Sequence, residues 1–131
     1  MPEITVQHLG DMAFETHIGN HKLTIDLPPE NNGKDRGHTP PQLFIASLSS
    51  CIAAFAASYC NNAGINSEGL SVTLSYDKLT NPSLLGNFKA RIKVPNGDPE
   101  KREKAIIRAA EHCLIHETIH SSPEIEVTLE K

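Results

Sequence analysis

Three cysteines carry the reactive potential of this chain: Cys51, Cys60 and Cys113. A thiolate is a nucleophile and a metal ligand, so its chemistry depends on nearby charge and on which thiols meet. Cys51 and Cys60 lie in residues 39–64, a stretch without a charged side chain that reads as one helix. At about 100° and 1.5 Å per residue, their separation sets them half a turn out of phase and roughly 13 Å apart along the axis. A disulfide needs Cα atoms within about 7 Å. These two thiols cannot pair. Cys113 falls on the apolar stripe of a second helix, where a contact with Cys51 is possible and one with Cys60 is its rival. A free cysteine is often just a small buried hydrophobe. Cys51 stands apart because Ser47, Ser49 and Ser50 precede it, and hydroxyls are odd in a purely apolar core.

The chain has seven histidines, and His112, His116 and His120 are four apart. On a continuous helix they share one face, the spacing that zinc ligands use. No carboxylate or Cys-x-x-Cys partner is fixed by spacing, and Ser121-Ser122-Pro123 ends the helix. The reading is a half-exposed polar face with no metal, and His112 is an alternative local cation for Cys113. His17, His21 and His38 fall in strand or turn positions and face solvent. Arg36 is the only arginine before residue 91. It could fold over Cys51 and stabilise a thiolate, or it is a solvated loop charge. Glu15 could supply a carboxylate from a strand.

The elements that position these groups follow from pattern. Residues 2–8, 12–18 and 22–27 alternate as half-buried strands, with Gly19-Asn20-His21 as a hairpin signal. Residues 28–38 form a loop long enough to be functional. Thr39 caps the long helix, Pro40 and Pro41 suit its first turn, and Gly64 stops it. That helix is apolar on every side, which predicts that protein surrounds it. Strands follow at 67–77 (Leu70, Val72, Leu74 and Tyr76 on one side) and 87–94 (Phe88, Ala90, Ile92 and Val94 inward), with 78–86 as a connection. Asp98 and Pro99 open the second helix. Ala105, Ile106, Ala109, Ala110, Cys113 and Leu114 form its apolar stripe, and Lys101, Arg102, Lys104, Arg108 and Glu111 its wet side. Residues 124–130 alternate as a last strand, with Ile125, Val127 and Leu129 inward. The predicted fold is α+β in the order β-β-β-α-β-β-α-β, one domain over residues 1–131, around a long buried central helix.

Composition narrows the function. At 38% hydrophobic and 5% aromatic residues with no Trp, the core is modest for one chain, and a partner subunit is expected to complete it. A net charge of −4 argues against nucleic acid and anionic membranes as partners, which call for a basic face. The long helix is a poor membrane span because it is rich in Ala and Ser and carries Gln and prolines. Residues 1–10 lack a signal-peptide pattern, and an odd cysteine count fits reduced thiols in a cytoplasmic protein better than a disulfide scaffold.

The segment from Pro41 to Cys51, a proline followed by a Leu/Ile/Ser run ending in cysteine, resembles the central-helix motif of the OsmC/Ohr family. The segment from Ala109 to Ile115 resembles that family's second cysteine segment, and the element order also fits. The resemblance covers essentially the whole chain. It implies an intertwined homodimer with two long helices back to back and active sites at the interface. It further implies a thiol peroxidase preferring organic hydroperoxides, in oxidative stress defence, with Cys51 peroxidatic, Cys113 resolving and a dithiol reductant restoring the enzyme. No cofactor is implied. One departure is clear: the peroxidase branch has a glutamate ten residues before the first cysteine, and this chain has Pro41 there, with Gln42 next. That branch also supplies an activating arginine, for which Arg36 is the candidate. The alternatives are a non-catalytic dimer holding a small apolar ligand at its interface, and a thiol redox sensor.

Overall fold

The computed structural model describes residues 1–130. They divide into two compact units, Met1–Ala46 and Ser47–Lys131. The division falls inside the long helix.

The first unit is an antiparallel meander of β1 (Val6–Gly10), β2 (Ala13–Ile18) and β3 (His21–Ile25), in that order. The two-residue loop Gly19-Asn20 joins β2 to β3, with Ile18 paired to His21. Ala13 and Thr16 are its buried positions, and the Thr16 hydroxyl donates to the Thr5 carbonyl at 2.7 Å. Beyond β3 the chain folds back on itself. Asp26 donates its N–H to the His38 carbonyl at 3.2 Å, and a Cβ on Gly33 would overlap the Leu27 backbone. The long loop read from the sequence is therefore a tightly packed one.

The long helix, α1 (Pro40–Asn62), begins with a reciprocal cap. Gln42 N–H donates to Thr39 Oγ1 at 3.3 Å, and Thr39 N–H donates to Gln42 Oε1 at 3.0 Å. It ends in the expected left-handed glycine: Gly64 has φ 74°, and the Ile65 N–H reaches back to the Cys60 carbonyl at 2.8 Å.

In the second unit, Leu48, Ile52, Ala56 and Cys60 of α1 form a buried stripe at every fourth residue. Against it packs the hairpin β4 (Ser71–Leu79) and β5 (Leu84–Lys93), through Val72, Leu74 and Ile92. The hairpin reaches closer to its turn than the alternation suggested, because Leu79 pairs with Leu84 and Lys78 with Leu85, and β4 begins at Ser71 rather than at residue 67. The pairing slips between Ser75 and Asp77, where Asn87 adopts φ 55° and its amide donates to Asp77 Oδ2 at 2.9 Å. Tyr76, opposite that slip, is exposed rather than inward.

Four expectations need correction. The central helix is not buried on all sides within this chain: beyond its stripe, Phe44 and Phe55 are 40% and 41% exposed. Asp98 does not cap an α-helix, since Glu100–Arg102 form a 3-10 turn and α2 starts at Glu103. The second helix is not continuous. It ends at Glu111 (α2, Glu103–Glu111), and a new helix α3 (Leu114–His120) starts after Cys113, whose ψ of 148° is extended. Leu114 is consequently 71% exposed rather than inward. Residues 124–130 form no strand among the described residues, and Ile125, Val127 and Leu129 are at least 85% exposed. A strand exists only where an edge accepts its backbone hydrogen bonds. Among the described residues, no strand pairs with that segment.

Candidate functional site

Cys51 sits midway along α1 and is half-buried. Cys113 sits at the break between α2 and α3 and is wholly buried. Both thiols are free, and they are neighbours: Cys51 packs against the buried cluster that holds Cys113, close enough to act on its protonation. Of the two pairings left open by helix geometry, the structure brings together Cys51 and Cys113. Cys60 is buried half a turn around α1 from Cys51, in the core stripe, where burial pushes its thiol up.

The Cys113 thiol is also held up, first by burial and further by the neighbouring Cys51 thiol. Opposing this are the backbone N–H groups of His116 and Ile115. The His116 N–H points at Cys113 Sγ from 3.3 Å, making the cysteine the side-chain cap of α3. The sequence offers almost no sign of this. No Gly or Pro marks the break, and cysteine is not a usual cap residue.

The hydroxyls beside Cys51 have local uses. Ser50 Oγ donates to its own helix, at the Ser47 carbonyl, 3.0 Å away. The histidine row is split by the break before α3. His112 faces Glu117 at 3.7 Å, whereas His116 and His120 meet edge to face with ring centres 6.4 Å apart. Among the described residues, no three His, Cys, Asp or Glu side chains are grouped to hold a metal ion. His17, His21 and His38 are exposed, and His17 pairs with Glu15 at 3.4 Å. Glu15 also meets Lys22 at 3.5 Å, so that carboxylate is engaged on its own sheet.

Arg36 is engaged as well. Its Nε donates to Asp26 Oδ2 at 2.8 Å, and its Nη2 lies 3.4 Å from Asp11 Oδ2. Asp26 is fully buried and also accepts from the N–H groups of Leu27, Lys34 and Arg36. The Arg36 guanidinium, then burial in the opposite sense, then the Leu27, Arg36 and Lys34 amides set its pKa, which ends at about 2. Lys34 adds a 3.1 Å contact to Asp11. The role of Asp26 was not read from the sequence. The available signal was an acid closing a strand just before a loop that carries a lysine and an arginine.

The second unit also holds a mostly apolar cavity of about 540 Å³, which neither Cys51 nor Cys113 lines. Leu48 and Ile52 of α1 line it from one side, Phe88 and Ile92 of β5 from another, and His116 and Ile119 of α3 from a third.

Comparison with known proteins bears on the family and the fold. The model of the family described as OsmC-like protein matches residues 33–128. The chain belongs to the OsmC-like family. No curated protein matches it in sequence. Among solved structures, this OsmC-like chain is similar to an osmotic stress induced and detoxification response protein from Psychrobacter arcticus 273-4. That match has a TM-score of 0.80 and 22% identity, over 92% of this chain and 89% of the other. It is similar to an organic hydroperoxide resistance protein OsmC from Legionella pneumophila, with TM-score 0.66 and 22% identity over 89% and 87%. It is also similar to the organic hydroperoxide resistance protein OhrB of Bacillus subtilis, with TM-score 0.62 and 18% identity over 92% and 90%. At these identities the likeness is one of fold: an α+β chain with a long central helix and small sheets.

Proposed function

We propose that this OsmC-like protein is a homodimeric, dithiol-dependent peroxidase of the cytoplasm that reduces organic hydroperoxides. The observation that carries the reading is the packing of the half-exposed Cys51 thiol against the core cluster of the buried Cys113 thiol. The Cys51 thiolate attacks the distal oxygen of ROOH, the O–O bond breaks, and the alkoxide leaves as ROH after taking a proton. The resulting sulfenic acid condenses with the Cys113 thiol, forming the S–S bond and releasing water. A dithiol reductant then returns both cysteines to thiols and is itself oxidised to a disulfide. The organic hydroperoxide resistance proteins among its structural relatives support the choice of oxidant.

The dimer has support in what α1 leaves uncovered. Phe44, Ser47, Cys51, Phe55 and Ser58 recur at intervals of three and four, so they share the helix face beside the buried stripe. In a homodimer a second copy covers this face, and Cys51 lies within it. In this reading Arg36 anchors the 26–38 loop, since its charge is already met by Asp26 and Asp11.

The test is peroxide consumption with a small dithiol. Wild type turns over. Cys51→Ser is inactive, and Cys113→Ser completes one oxidation and then accumulates sulfenic acid. Equal turnover by wild type and Cys51→Ser removes the catalytic assignment. The apolar cavity favours a second reading, binding of a small apolar ligand without catalysis. Under that reading both cysteine variants bind an apolar fluorescent probe as wild type does, and none consumes peroxide.

A further inference from the structure

We propose that Cys113 is a redox-sensitive helix cap, so that forming the Cys51–Cys113 disulfide uncaps α3 and loosens one wall of the apolar cavity. The inference rests on the peroxidase reading above and adds a conformational consequence to it. Cys113 Sγ does two things at once in the reduced protein. It belongs to the cluster against which Cys51 packs, and it accepts the His116 N–H at 3.3 Å at the start of α3.

Those two roles conflict once the thiols are oxidised. The hydroperoxide converts Cys51–SH to Cys51–SOH with release of ROH. Condensation with Cys113–SH then expels water and leaves two sulfurs about 2.05 Å apart. Closing from a thiol–thiol contact to a bond draws the sulfurs together by on the order of 1 Å. The N–H···S contact at 3.3 Å is stretched by that movement. Cys113 is fully buried, so water does not take over the donor.

The segment that loses its cap is a weak one. α3 has seven residues, too few to hold a helix without tertiary support. Its inward residues Ile115 and Ile119 pack on the core, and His116, Ile119 and His120 line the cavity. The redox state of a buried thiol is thereby transmitted to a surface that a ligand or partner can read.

Amide hydrogen exchange at residues 115–119 tests the idea, using the full chain in four forms: reduced wild type, hydroperoxide-oxidised wild type, Cys113→Ser and Cys113→Ala. Mass spectrometry of the same samples counts the disulfide. The oxidised protein and reduced Cys113→Ala should exchange the His116 amide roughly three- to tenfold faster than reduced wild type, the range expected for losing one cap. Cys113→Ser keeps a capping oxygen and cannot form the bond. It should stay within about twofold of reduced wild type before and after peroxide, and it keeps the test alive if the alanine variant does not fold. A fully disulfide-bonded sample whose α3 exchanges like the reduced form overturns this inference and leaves the peroxidase reading standing. Absence of any Cys51–Cys113 disulfide after peroxide overturns both.

Discussion

The Asp26 carboxylate has no exposed surface and accepts the Arg36 Nε–H at 2.8 Å, so a buried acid organises a loop whose only arginine looked free in the sequence. Burying an unpaired carboxylate is strongly unfavourable, and here one charged side chain and three backbone amides compensate. The consequence is a loop clamped across its base, with Asp26 at one end holding Lys34, Arg36 and His38 toward the other.

The acid response of this protein should therefore depend on Asp26. Its folded pKa is lowered from 3.8 to about 2, chiefly by Arg36. A depressed carboxylate contributes stability that is fully present above the unfolded pKa and is lost as pH falls through the folded one. The stability gap between wild type and Asp26→Asn should be constant above about pH 5 and close between about pH 4 and pH 2. Urea midpoints measured across that range check it, and a gap that is flat down to pH 2 would contradict the assignment.

Arg36→Ala should free the 26–38 loop. Trypsin cleavage after Lys34, slow in the native loop, should speed up several-fold, because Asp26 is left with backbone donors alone. Arg36→Lys should recover only part of the protection, since a point charge does not reproduce the forked contact to Asp26 and Asp11. Cleavage unchanged in both variants excludes the anchor role.

Cys60 should matter for stability and not for turnover. It closes the buried stripe of α1 and has no exposed surface. Cys60→Ala should cost about 1 kcal/mol for the small void, and Cys60→Ser about 1–3 kcal/mol for a buried hydroxyl without a partner. Chemical denaturation measures both. A loss of peroxide turnover without loss of fold would show that Cys60 has chemistry of its own.

Self-association should depend on the uncovered face of α1. Phe55→Glu places a charge where an apolar ring is 41% exposed, and dimer dissociation should rise at least about tenfold (about 1.4 kcal/mol) if a second copy covers that ring. Analytical ultracentrifugation reads this directly. An unaltered dimer means that the partner docks elsewhere.

Local physics was legible without coordinates. The Thr39 and Gln42 cap, the Gly64 stop and the Gly19-Asn20 hairpin depend on residues within a few positions of one another. The opposition of Cys51 and Cys60 likewise follows from the 3.6-residue repeat alone. So does the exclusion of a bond between them.

What the chain could not announce was any outcome settled between distant residues. Asp26 and Arg36 are ten positions apart, and their pairing depends on how the loop turns back to β3. The choice of Cys51 over Cys60 as the neighbour of Cys113 depends on which face of α1 meets the junction of α2 and α3, which periodicity leaves open. The helix break at Cys113 has no breaker residue behind it; burial of that sulfur and its bond to the His116 N–H hold it in place. Alternation at residues 124–130 shows which side chains share a face, but a strand also needs an edge to join. Periodicity is a property of the chain, whereas partnership belongs to its tertiary packing.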